Sequence, residues 1–262
     1  MTAIFLAVLV FLSVAMAGAW ALQRRTGNGG WADAVWSFAL GAGGVALALL
    51  PGPPTPRQWV VAALVAVWSV RLGWHIAQRT VGAHEDARYA DLRAQWGTNF
   101  QWRMFLFLQI QAAAAAFLAL SMTLAAHNPA PFPRVLDGLG IAILAAAIAG
   151  EAVADAQLRR FKNDAGNKGR VCDIGLWGWS RHPNYFFEWL GWVAYPCLAI
   201  GDWTWGWLAL SGPVFMYYLL AHVSGVPLLE KTMLRSRGDA FRAYQDRVSA
   251  FFPLPPSKGD SR

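Results

Sequence analysis

Apolar residues in this chain come in long unbroken runs, not in the alternation of a half-buried strand or the one-sided stripe of a soluble helix. Seven runs, at about 3–22, 31–50, 58–77, 104–126, 136–156, 184–201 and 203–224, match or approach the roughly 20 residues that a helix needs to cross a bilayer. The pattern predicts an all-α membrane protein with seven transmembrane helices. Ala15-Met16-Ala17 resembles a cleavage site, but no basic residue precedes the first run and Arg24-Arg25 follows it, so a spanning helix is expected rather than a signal peptide. No repeat or low-complexity tract divides the chain, and residues 1–262 read as one domain. Only 78–103, 157–183 and 225–262 are polar stretches long enough to hold machinery.

Composition sharpens this picture. Of 262 residues 56% are hydrophobic and 14% charged, with 15 Trp and 15 Phe, whereas a soluble domain is about a quarter charged. A collagen, a disordered tail and a nucleic-acid domain are excluded. The net charge of +7 is spread over the connections, as orienting charges are. Nineteen Lys and Arg fall in the first, third and fifth connections and the C-terminal tail, against only Arg57 and Arg134 in the others. The positive-inside rule then puts the N-terminus outside and the C-terminus in the cytoplasm; a bacterial-type inner membrane is the expected location. Cys172 and Cys197 make no disulfide framework, and five His without paired spacing imply no metal.

Polar residues inside spans are costly and therefore candidates for function. Asp33, Arg71, His75, Gln109, Gln111, Glu151, Asp155, Glu188 and His222 all fall in the half that the charge count assigns to the cytoplasm. Their density there describes a polar cavity open on that side, although each alone also fits a paired structural residue. The segment from Glu151 to Glu188 is the densest. Glu151, Asp155 and Arg159 share a helical face, and Arg160, Lys162, Lys168 and Arg170 follow in a loop with glycines and asparagines that suits an anion. Pro183 marks a helix start, which places Arg181 and His182 at its positive end and Asn184 and Glu188 one turn apart.

The run Ser180-Arg181-His182-Pro183-Asn184-Tyr185 through Glu188 carries a family resemblance. So do Glu151 through Lys162 before it, and Val223 through Lys231 and Tyr244 through Pro253 after it. Together they resemble the steroid 5α-reductase family and its bacterial DUF1295-type branch. The resemblance implies a seven-helix membrane reductase that uses NADPH to saturate the C4–C5 double bond of a 3-oxo-Δ4-steroid or a similar enone lipid, its cofactor-binding part at about 140–256. The family's cofactor residues carry over to Asp155, Arg170, Asn184 and Glu188, and His222, Glu230 and Tyr244 lie where the cofactor cavity is completed. With their neighbours the candidate cofactor-binding set is Asp155, Arg159, Lys162, Arg170, Ser180, Arg181, His182, Asn184, Tyr185, Glu188, His222, Glu230, Lys231 and Tyr244.

Animal members of that family polarise the substrate carbonyl with a Glu on the second helix and a Tyr on the third. This chain departs from both. Asp33 is the carboxylate of the matching second-helix stretch, and the third-helix stretch Trp74-His75-Ile76-Ala77-Gln78 offers His75 but no Tyr; Tyr89 follows in the loop. Asp33, His75 and Tyr89 are the candidate proton donors, because hydride addition to an enone builds negative charge on the carbonyl oxygen. The structural alternative for Asp33 is a pair with Arg71 that holds two helices together. The Arg-His-Pro-x-Tyr helix start also resembles isoprenylcysteine-type methyltransferases, so an S-adenosylmethionine enzyme is the alternative, and a small carrier or lipid-binding helper is a further one. The cations of 159–170 favour a multiply phosphorylated cofactor. Expected partners are a hydrophobic enone and membrane lipids, not nucleic acid, and the expected state is a monomer.

Overall fold

The long apolar runs are mostly helical in the computed structural model, which describes residues 1–257, and among these the regular secondary structure is all helix. In order come α1 (Thr2–Thr26), α2 (Gly30–Leu49), α3 (Pro56–Thr80), α4 (Ala87–Trp96), α5 (Phe100–Ala126), α6 (Val135–Asn163), α7 (Pro183–Ala199), α8 (Ser211–Tyr218), α9 (Val226–Arg237) and α10 (Asp239–Arg247). Six helical stretches are long and apolar enough to cross a membrane: Thr2–Thr26, Gly30–Leu49, Pro56–Thr80, Ala87–Ala126, Val135–Asn163 and Thr204–Arg237. A multi-pass integral membrane protein is the consequence.

The expected count of seven is met only in part. α7 has 17 residues, about 26 Å at 1.5 Å per residue, which falls short of a hydrocarbon core of about 30 Å. Gly201 and Asp202 follow it outside any helix. The last apolar run is not one α-helix either: a 3₁₀ stretch (Thr204–Leu210) leads into α8, and one π-helical turn (Leu219–Val223) follows. The polar stretches, in turn, hold three helices that apolar run-length does not reveal, α4, α9 and α10.

Helix ends follow local chemistry. Thr55 and Gln58 form a reciprocal capping box at the start of α3, with Pro56 in the first turn. α1 stops at Gly27, whose left-handed φ of 71° lets its N–H close on the Gln23 carbonyl. The chain divides into two compact units, Met1–Gly138 with Tyr195–Gly212, and Leu139–Ala194 with the chain from Pro213 on. In the first, α1, α2, α3 and α5 pack around Leu12, Met16, Leu40, Leu47, Val65, Trp68, Met104, Leu108 and Met122, all buried. Small residues allow the closest approach. A Cβ on Gly41 would collide with the Ser69 side chain, and Ser69 donates to the Ser37 carbonyl across α2 and α3 at 3.0 Å.

In the second unit, Phe161, Cys172 and Trp177 make one core cluster and Phe241, Tyr244 and Val248 another. The segment after α10 returns along residues 179–181. Leu254 donates to the Trp179 carbonyl and Arg181 to the Ser249 carbonyl, at 3.0 and 2.8 Å.

Candidate functional site

One polar cluster of the first unit lies where α2 begins. Asp33, in the first turn of α2, accepts from the Tyr89 hydroxyl at 2.8 Å and from Arg88 Nη2 at 2.5 Å. Tyr89 reaches it because α4 starts directly after the loop that follows α3. Asp86 caps α4 by accepting the Arg88 backbone N–H, and its carboxylate also takes Arg88 Nε and Nη2 at 3.0 and 3.1 Å. The loop is held from the other side by Asn28, whose amide donates to the carbonyls of Ala83 and His84 while its oxygen accepts from Gly30 N–H. Gly29 completes the seat: a Cβ there would lie 2.3 Å from Cγ of Tyr89, so only glycine lets the ring rest on the turn.

Tyr89 is thereby buried, 3% exposed, while Asp33 and Arg88 keep about a fifth of their side-chain surface open, 20% each. Asp33 pairs with Arg88, not with Arg71 as the structural alternative required. His75 lies half-buried on α3, one turn beyond Arg71. Arg88 lies outside the residues that the sequence points to. Its sequence signal was its place between a capping Asp and a Tyr, in a loop too polar for a span. Asp86, in that loop, is buried enough to push its carboxyl up, but the hydrogen bonds and charge of Arg88 outweigh burial and hold it below the ordinary aspartate range.

In the second unit the fourteen candidate residues sort into three groups. The first is an internal clamp. Arg181 Nε donates to Glu230 Oε1 at 2.7 Å, and its Nη1 reaches the carbonyls of Gln245 and Val248. His182 Nε2 stands 3.2 Å from the same Glu230 oxygen, and Gln245 donates to the other at 2.7 Å. Ser180 donates to the Phe251 carbonyl and accepts from His182 N–H. Tyr244 donates to the Trp177 carbonyl, and burial pushes its phenol well above the ordinary tyrosine range. Arg181 and His182, expected to face an anion, direct these groups at α9, α10 and the segment after α10.

The second group is a buried polar patch on α6 and α7. Asn184 Nδ2 donates to Asp155 Oδ1 at 3.4 Å, and Glu188, one turn along, accepts from Trp192 Nε1 at 3.0 Å. Asp155, Glu188 and Glu151 are all buried. The third group is peripheral: Arg159, Lys162, Arg170 and Lys231 are exposed, and so is His222 in the π-helical turn, edge-on to Tyr217. Tyr185 stacks on His182.

This donor set can be matched to a dinucleotide. Two carboxylates and an amide suit the hydroxyls and carboxamide of a nicotinamide nucleoside, and exposed cations along 159–170 suit its phosphates. The residues present fit NADPH by their chemistry.

Residues 19–248 match a family described as "Protein of unknown function (DUF1295)". The chain belongs to the DUF1295 family. That family is related to steroid 5α-reductase-like membrane proteins. The chain is also similar to the uncharacterized protein C594.04c of Schizosaccharomyces pombe, at 35% identity over 102 residues, which cover 36% of this chain and 27% of that protein. The match thus spans about a quarter of that relative's length. No solved structure matches the chain.

Proposed function

We propose that this protein is an NADPH-dependent membrane reductase that saturates the C4–C5 double bond of a 3-oxo-Δ4-steroid or a similar enone lipid. The observation that carries the reading is the 2.8 Å hydrogen bond between Tyr89 and Asp33. The resemblance calls for a carboxylate on the second helix and a tyrosine beside it, and the sequence supplies that tyrosine only from the following loop.

NADPH, when bound, supplies a hydride. The residues of this chain do the rest. Asp155, Asn184 and Glu188 bind the nicotinamide nucleoside by hydrogen bonds, with Arg159, Lys162 and Arg170 near phosphate. As a C–H bond forms at the β-carbon of the enone, the electrons of the double bond move to the carbonyl oxygen. Tyr89 meets that charge, since its O–H rotates about the Cζ–Oη bond and can leave Asp33 for the substrate oxygen. The proton passes from Tyr89 to that oxygen, the enol reverts to the saturated ketone, and water returns a proton to Tyr89. The 19-to-2 distribution of Lys and Arg supports an external N-terminus, seven spans with α7 as a short one, and a cofactor side facing the cytoplasm.

Purified protein titrated with NADPH and with S-adenosylmethionine tests the cofactor. A thermal shift with NADPH is expected, and a shift with S-adenosylmethionine alone would favour a methyltransferase. Asn184→Ala and Arg170→Ala should each weaken NADPH binding by about 1–3 kcal/mol, the usual cost of a lost polar contact. Wild-type affinity in both variants would overturn this placement. NADPH consumption with progesterone, followed by product analysis, tests the reaction.

A further inference from the structure

Among the described residues Arg88 is the one cation on Asp33, yet the proton transfer above gives it no part. We propose that Arg88 is a positioning residue: through Asp33 it fixes the Tyr89 hydroxyl, and its charge offsets the phenolate that proton donation leaves behind. The inference rests on the reductase reading and adds to it the residue that makes the tyrosine usable.

Residues 88 and 89 are consecutive in the first turn of α4, and both reach the same carboxylate. Tyr89 takes Oδ1 and Arg88 takes Oδ2. Contact at both oxygens sets the plane of the carboxylate, which a single hydrogen bond leaves free to rotate. Arg88 is itself fixed by Asp86, which accepts from Nε and shares Nη2 with Asp33, and whose carboxylate also caps the helix on which Arg88 stands. A guanidinium fork bridges two carboxylates in this way, and an ammonium does so poorly. The Tyr89 ring is located separately by its seat on Gly29. Packing therefore places the ring, and Arg88 places the group to which its hydroxyl points.

Charge supplies the second half of the argument. Once Tyr89 has given up its proton, a phenolate oxygen lies beside the Asp33 carboxylate, and two anions so close in a part-buried site repel strongly. Arg88 contacts Asp33 at 2.5 Å, and its guanidinium carbon lies 5.6 Å from the Tyr89 ring centroid. A cation in that place stabilises both anions.

The test uses the full chain in nanodiscs with fluorotyrosine placed at position 89, its fluorine resonance read by NMR, alongside steady-state reduction of progesterone. Arg88→Gln should move the resonance and lower kcat by about thirtyfold or more, with KM for the steroid and Kd for NADPH changed less than about threefold, the pattern of an interaction made in the transition state. Arg88→Lys, which keeps the charge but loses the bridge to Asp86, should recover about tenfold of that loss. Should Arg88→Gln not fold, Arg88→Lys carries the test alone, with a shifted resonance and a kcat reduced by about threefold expected. A resonance unmoved in either variant, or a loss that lies wholly in KM, overturns the proposal. If wild-type protein reduces no enone while Arg88→Gln still shifts the resonance, the reductase reading falls and the positioning of Tyr89 by Arg88 stands.

Discussion

Asp33 and Asp137 are both gripped by arginine inside the first unit, and they are gripped in different ways. Asp137, in the first turn of α6, is fully buried and accepts five hydrogen bonds: Arg57 through both Nη atoms, and Arg134 through its backbone N–H, Nε and Nη2. The two arginines use further donors on the carbonyls of Ala130, Pro131, Leu198 and Ile200. No acceptor site on that carboxylate is left over. Asp33 accepts one hydrogen bond per oxygen and is 20% exposed, about half of what a carboxylate can take. A saturated ion cluster around a fully buried carboxylate ties α3, the α5–α6 connection and the end of α7 together. An unsaturated one beside a hydroxyl retains capacity for a substrate. The difference separates a structural knot from a candidate site without reference to any relative.

The largest effect should come from breaking the knot. Asp137→Asn leaves the buried Arg57 guanidinium and the part-buried Arg134 guanidinium without their carboxylate, and breaking a buried pair costs about 3–5 kcal/mol. Thermal unfolding in detergent measures it, and a shift indistinguishable from wild type would show that the cluster is not the structural element described. Tyr89→Phe should do the opposite. It removes one hydroxyl from a site that keeps its Arg88–Asp33 pair, so stability should change by less than about 1 kcal/mol. Turnover of progesterone should fall by about a hundredfold or more, the usual scale for a lost acid. If turnover survives, the donor is not Tyr89.

How much of this contrast the sequence carried depends on distance along the chain. The spanning helices, the capping box at Thr55 and Gln58 and the helix start at Pro183 are local, and run-length or neighbouring residues reveal them. Asp33 is legible as an intramembrane carboxylate, and Tyr89 as a hydroxyl in a loop. Their meeting was not legible, because it depends on Asn28 latching residues 83 and 84 and on Gly29 admitting a ring, contacts about 55 to 60 residues apart. Arg57 and Arg134 read as two stray charges on the lightly charged connections, since nothing local shows that both close on Asp137. The Arg181-His182 pair shows the converse. Its place at a helix start reads as an anion site, and only the fold reveals Glu230, 48 or 49 residues on, as its partner.

That clamp supplies a third, intermediate case. Glu230→Gln weakens the contacts to Arg181 and His182 and should cost about 1.5–3 kcal/mol, the range for hydrogen bonds to charged groups. If the clamp only supports the fold, NADPH affinity measured well below the unfolding temperature should change less than about threefold. A tenfold or greater loss at unchanged stability would move Glu230 into the cofactor site.

The smallest effect should come from Asp86, the outer bracket of the Asp33 cluster. Its pair with Arg88 is about a fifth exposed at both ends, so Asp86→Asn should cost on the order of 1 kcal/mol. Its pH dependence has a definite sign. The carboxyl titrates below its ordinary range in the folded protein, so the folded state binds the proton less readily than the unfolded chain, where the pKa is about 3.9. The stability contributed by Asp86 is then fully present above about pH 5 and is lost as the pH falls through 4 and below. Wild type and Asp86→Asn should differ by a constant amount from about pH 5 to 8 and converge as the solution is acidified, because only the wild type has that contribution to lose. A difference that grows on acidification would mean that Asp86 is held in its protonated form. Arg88 would then lack the anchor that distinguishes the half-filled cluster at Asp33 from a loose surface pair.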